Sequence, residues 1–115
     1  MRREIVFAPQ AAEDEKRLRA NERATVRDKI NKHLRHDATK ISRSRLKRLR
    51  GLKQPQYRLR ADDIRVFYDV TEETVEILAI VPKAAAAAWL ERYGKPAPKN
   101  ELAEHGRTEK EGGKS

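Results

Sequence analysis

Three arginines close together in the chain, Arg58, Arg60 and Arg65, are the residues best suited to do chemistry. They lie in YRLRADDIRVFYDV, from Tyr57 to Val70. A guanidinium is permanently charged and presents a planar fork of donors that fits a phosphate. Arg58 and Arg60 alternate with Tyr57, Leu59 and Ala61. Beyond Asp62-Asp63, Ile64, Val66, Tyr68 and Val70 alternate with Arg65, Phe67 and Asp69. A period of two on both sides of a turn-prone pair predicts a β-hairpin. With Asp62 and Asp63 as the loop, Ala61 faces Ile64, Arg60 faces Arg65, Leu59 faces Val66 and Arg58 faces Phe67. One face is then apolar, and the other carries three arginines and one aromatic ring. Opposed arginines repel, at a cost in stability. An anion between them reverses the sign, whereas splaying into water makes the cost small.

The surrounding charge supports an anionic partner. The chain has 115 residues, a natural single domain, with net charge +9. From Arg27 to Arg60 there are thirteen basic residues and two acidic ones, a local charge of +11, so the remainder is slightly acidic. Within that stretch Arg45, Lys47, Arg48, Arg50, Lys53 and Arg58 are the candidates for RNA contact. The blander reading of a charge run is a solvated face.

Other chemistries have weaker support. The chain has no cysteine, so a disulfide framework is excluded and the cytoplasm is the default location. No apolar run approaches the ~20 residues needed to span a bilayer, and no membrane partner is expected. His33 and His36 are three apart, but no nearby cysteine or third histidine supports a metal site. No cofactor is expected.

The elements that position the arginines follow from hydrophobic period and punctuation. Glu4–Ala8 predicts a short strand, ended by Pro9, which suits a first helical turn. Gln10–Ala20 predicts a helix, with a break at Asn21. A second helix runs from Glu22 to about Arg35, where Val26, Ile30 and Leu34 form one apolar stripe. Asp37–Ser44 predicts a loop. Leu46 and Leu49 in RLKRLRG anchor a basic surface, and Gly51 and Pro55 punctuate the approach to the hairpin. Val75–Val81, VEILAIV, is nearly unbroken and suits a central strand covered on both faces. Lys83–Tyr93 predicts a helix, with Trp89 as a core anchor and Gly94 as its stop. From Lys95 the composition turns to Pro, Gly and mixed charge, so a folded region of 1–94 is expected to precede a disordered tail at 95–115.

The run RLRGLKQPQYRLRADDIRVFYDV, followed by VEILAIVPK, resembles the RelE/ParE superfamily of bacterial type II toxins. The likeness covers roughly Ile5 to Tyr93. It is strongest toward members paired with Phd/YefM antitoxins. It implies an α+β fold with a small antiparallel sheet in the order β-α-α-β-β-β, a short C-terminal helix, and two helices packed on one face. It also implies a toxin neutralised by a cognate antitoxin. RelE-like members cut messenger RNA (mRNA) in the ribosomal A site as ribosome-dependent endoribonucleases, inhibiting translation. ParE-like members instead poison DNA gyrase. A third alternative is a weakened toxin acting mainly as an antitoxin-binding module.

By that resemblance, Arg58 and Arg60 match positions that contact the messenger. Arg65 matches the arginine that stabilises the scissile phosphate, and Lys83 the basic residue closing the last strand. Arg60, Arg65, Lys83 and Tyr93 are then the candidate catalytic set. The chain also departs from the pattern. Ala84 stands where an arginine is usual, and Asp62 where the turn has glycine. The C-terminal tyrosine or histidine of the nucleases is matched only by Tyr93, in a window with Trp89 and Leu90.

Overall fold

The computed structural model describes residues 2–98. In chain order the elements are β1 (Glu4–Phe7), α1 (Pro9–Lys16), α2 (Ala20–Asp37), β2 (Leu46–Arg48) and β3 (Leu52–Gln54). They continue with β4 (Tyr57–Ala61), β5 (Ile64–Val70), β6 (Thr74–Pro82), α3 (Lys83–Tyr93) and β7 (Lys95–Pro96). Five strands form the main sheet in the order β1-β6-β5-β4-β2, and β3 pairs with β7 in a small second sheet. The expected α+β class is found, with two corrections. The sheet is mixed rather than antiparallel, because β1 runs parallel to β6. A further strand, β2, forms the opposite edge from a basic segment with one buried side chain, Leu46.

Hairpin register follows the alternation. Ala61 pairs with Ile64, Arg60 with Arg65, Leu59 with Val66 and Arg58 with Phe67. Asp62 takes φ 55, the left-handed turn conformation that aspartate tolerates better than most residues. Its apolar face packs on the first two helices. Val26, Ile30 and Leu34 of α2 and Ala11 of α1 meet Leu59, Val66, Tyr68, Val75, Ile77 and Ile80 in one core. Burying each large side chain of this set contributes about 1.5–3 kcal/mol. Tyr68 adds a polar tie: its hydroxyl donates to the Ala38 carbonyl at 2.7 Å. Burial of that phenol pushes its pKa far up.

The helix break falls earlier than Asn21, at Arg17–Arg19. Arg19 is extended, and its N–H donates to the Glu22 side chain at 3.0 Å, which starts α2. The Arg23 guanidinium reaches back to the Glu15 and Leu18 carbonyls at 3.3 and 2.8 Å, satisfying the end of α1. Two carboxylates of α1 then hold it in place. Glu15 accepts a two-pronged pair from Arg27 of α2. Asp14 accepts the Ile80 N–H of β6 at 3.0 Å, where β1 no longer covers that strand.

On the other face of the sheet, α3 covers Phe67, Ala79 and Val81 with Ala86, Trp89 and Leu90. Trp89 lies flat on Phe67, with ring centroids 5.0 Å apart. The stripe positions of β6 switch faces at Leu78, the extra residue of a bulge between the Phe67–Ala79 and Tyr68–Ile77 pairs. Lys95–Pro96, beyond the expected boundary at 94, pair with β3, and the Ala97 N–H donates to the Gly51 carbonyl at 3.0 Å. The remainder of the expected tail, from 99 on and including His105, lies outside the described residues. No helix among the described residues is long and apolar enough to cross a membrane.

Candidate phosphate-binding face

The register places the arginines in two rows across the sheet face that α3 half covers. One row is Lys47, Arg58, Phe67 and Ala79, from β2 to β6. The next is Arg60, Arg65 and Val81. Neighbouring strands lie about 4.8 Å apart, so the three guanidinium stems share one small area.

Each arginine has a different environment. Arg65 is only 7% exposed. Its Nη1 donates to the carbonyls of Asp62 at 2.8 Å and Ile64 at 3.2 Å, which fixes the plane of the fork. Arg58 is half-buried, and its Nε is buried without a hydrogen-bond partner among the described residues. Burial, and then Arg65 and Arg60, push the Arg58 pKa down, yet an arginine stays charged near neutrality. Arg60 is exposed. The ion pairs found among the described residues are Lys16–Glu13, Arg17–Asp14, Arg19–Glu22 and Arg27–Glu15, all on or beside the first two helices. Among the described residues, the arginine face therefore has no carboxylate within ion-pair distance. Three like charges and a desolvated, unpaired donor make this face unfavourable when empty and attractive to an anion.

The remaining candidates fall in several places. Lys47 stands beside Arg58 on the same face. Arg48 points to the helix side, its guanidinium 5.0 Å from the Tyr57 ring centre. Arg45 precedes β2, and its carbonyl accepts the Arg60 N–H at 2.7 Å. Arg50 lies in the turn before β3, and Lys53 on that strand; both are exposed. The Lys83 N–H donates to the Asp63 carbonyl at 2.7 Å, which sets the start of α3 against the hairpin turn; its side chain is exposed. Ala84 follows it, also exposed.

Tyr93 is the last residue of α3. It is 54% exposed and packs at 5.5 Å on Trp89. It lines a cleft of about 480 Å³ between α3 and α1, with Gln10, Asp14 and Arg17 opposite and Gln54 and Pro55 at one end. None of the three clustered arginines lines that cleft. The anchor role of the Asp62 carbonyl is invisible to residue-type reasoning, because a backbone group supplies it. The described residues contain no group of three or more potential metal-ligating side chains.

Comparison with known proteins gives the class to which this fold belongs. The profile of the ParE toxin of type II toxin-antitoxin systems (parDE) matches residues 5–86. The chain therefore belongs to the ParE/RelE family of type II toxins. No curated protein sequence matches it significantly. Among solved structures it is similar to the RelB-RelE antitoxin-toxin complex of Methanococcus jannaschii. There the TM-score is 0.56 at 16% identity, covering 73% of this chain and 96% of that one. The archaeal RelE-RelB complex of Pyrococcus horikoshii OT3 gives 0.52 at 18%, covering 72% and 97%. The YoeB dimer of Staphylococcus aureus gives 0.52 at 20%, covering 70% and 97%. The fold is the RelE-like one.

Proposed function

We propose that this toxin acts as a ribosome-dependent endoribonuclease, with the Arg58, Arg60 and Arg65 face holding the scissile phosphate of mRNA. The observation that carries this reading is the unpaired, buried Nε of Arg58 beside the pinned fork of Arg65. Cleavage needs the ribose 2′-OH deprotonated, charge on the phosphate stabilised and the leaving 5′ oxygen protonated. The arginines supply the second requirement, which is commonly the largest single contribution. Lys83, at the start of α3 beside the hairpin turn, is the candidate for proton transfer. RNA from Arg45, Lys47, Arg50 and Lys53 outward follows the basic rim. An antitoxin covers this face in the inactive complex. Its expected character is acidic, and Phd/YefM-like by resemblance, whereas the archaeal relatives above are complexes with RelB. Induced expression in cells with 5′-end mapping of mRNA tests the reading. New ends within translated regions, suppressed by the antitoxin, are expected.

A second reading is inhibition of DNA gyrase without bond cleavage. It is favoured by the position of Tyr93, in a cleft the arginines do not line, and by Ala84. Inhibited supercoiling together with intact mRNA selects it.

A further inference from the structure

A second hollow, of about 120 Å³, opens between the end of α2 and the segment leading into β2. His33, Asp37, Lys40, Ser42 and Arg45 line it above Leu46. Its charge balance favours an anion. Lys40 and Arg45 line it against Asp37, and Lys29 and Lys32 are close enough to act on His33, against Asp28. None of these four cations is within 4 Å of a carboxylate among the ion pairs of the described residues. Ser42 adds a donor: its Oγ accepts the Leu46 N–H at 3.2 Å, which leaves the hydroxyl hydrogen free to turn into the hollow.

A helix C-terminus ordinarily repels an anion. Here that effect is blunted, because carbonyls of the last turn are occupied. Arg35 accepts the Arg3 N–H at 2.7 Å, Asp37 accepts the Lys40 N–H at 3.0 Å, and Ala38 accepts the Tyr68 hydroxyl at 2.7 Å. The hollow lies at the same sheet edge as the arginine face, on the other side. The Arg45 carbonyl takes the Arg60 N–H at 2.7 Å, so the segment that lines the hollow on the helix side borders, at the β2 edge, the strand that carries Arg60 on the other face.

We propose that this hollow is a second phosphate site, in which Lys40, Arg45, Ser42 and His33 hold a backbone phosphate of a single-stranded RNA that passes round the β2 edge to the arginine face. It rests on the reading of that face as RNA-binding. Binding there is coupled to protons. Burial, then Arg45, Lys29 and Lys32, hold the His33 pKa below its ordinary value, with Asp28 opposing them. A phosphate in the hollow favours the charged imidazole, so binding takes up a proton, and affinity rises as pH falls through the range between the free and bound values.

The test follows the His33 ring proton by NMR against pH, with sulfate alone, a dinucleotide and an octanucleotide of RNA, and measures affinity for both RNAs. Sulfate and the octanucleotide are expected to raise the His33 midpoint, and the dinucleotide to leave it unmoved. Lys40→Glu should weaken the octanucleotide several-fold, flatten its salt slope by about 0.7, and spare the dinucleotide. Arg65→Ala should weaken both. Octanucleotide binding that depends on Arg65 while His33 ignores both probes overturns the second site and leaves the first intact. If neither RNA binds, the reading of the arginine face fails. Then an unmoved His33 in sulfate overturns the anion site, and a moved one overturns its assignment to RNA. An acidic peptide that shifts His33 where the octanucleotide does not also overturns that assignment.

Discussion

Arg65 Nη1 donates to the carbonyl of Asp62, three residues before it, at 2.8 Å. The turn that closes the hairpin therefore aims the arginine that its second strand supplies. Lysine cannot reproduce this, because one ammonium cannot both hold two carbonyls and present a flat fork to a phosphate. Arg65→Lys should lose cleavage nearly as severely as Arg65→Ala, by about 10²- to 10³-fold. Single-turnover rates on translating ribosomes check this.

The unpaired face predicts an exchange of stability for function. Replacing Arg58 by leucine removes a desolvated donor with no partner among the described residues and one of three like charges. Arg58→Leu should raise stability by roughly 0.5–1 kcal/mol while weakening RNA binding. Urea unfolding alongside RNA affinity reads both; a variant that binds as well as the native chain contradicts the assignment.

Tyr93 opens into the cleft between α1 and α3. Tyr93→Phe should keep cleavage within a few-fold of native. A group supplying the leaving-group proton would instead cost about 10²- to 10⁴-fold. Comparing the pH–rate profiles of the two proteins separates these outcomes.

Glu15 links the two helices through Arg27, and that hydrogen-bonded pair holds its carboxyl below the ordinary value despite burial. A depressed folded pKa contributes stability that is present above the unfolded pKa and lost as pH falls through the folded one. Native protein should lose stability in acid more steeply than Glu15→Gln, and the two curves should converge at low pH. Arg27 is more than half exposed, so the gap near neutrality should be small, ~1 kcal/mol. Thermal midpoints across the acid range measure it.

Tyr68 is buried, and its hydroxyl is the partner of the Ala38 carbonyl. Tyr68→Phe should cost about 1–2 kcal/mol by leaving that carbonyl unpaired. Chemical denaturation at neutral pH reads the loss directly.

The hairpin was legible because its pattern is local. Strict alternation around Asp62-Asp63 sets both register and face, and the pairs Arg58–Phe67 and Arg60–Arg65 follow from it. The stripe Val26, Ile30 and Leu34 was legible for the same reason, as was α3 between Lys83 and Gly94. What escaped depends on distant partners. Strand β2 is mostly basic and forms because β4 offers it an edge. The parallel pairing of β1 with β6 joins residues about seventy apart in the chain. The helix break moved from Asn21 to Arg17–Arg19 because the Arg23 side chain, not a propensity minimum, satisfies the end of α1. At the site, residue types identified the cations. That Tyr93 lines a cleft none of the three arginines lines depends on how α3 crosses the sheet, which no local pattern records.

The most direct measurement is cleavage of a defined mRNA on purified translating ribosomes by the native chain and by Arg65→Ala, both confirmed folded. New 5′ ends from the native chain, reduced at least a hundredfold in the variant, are the predicted result. Equal cleavage by the two proteins, or none by either, contradicts a phosphate held by the arginine face for cutting.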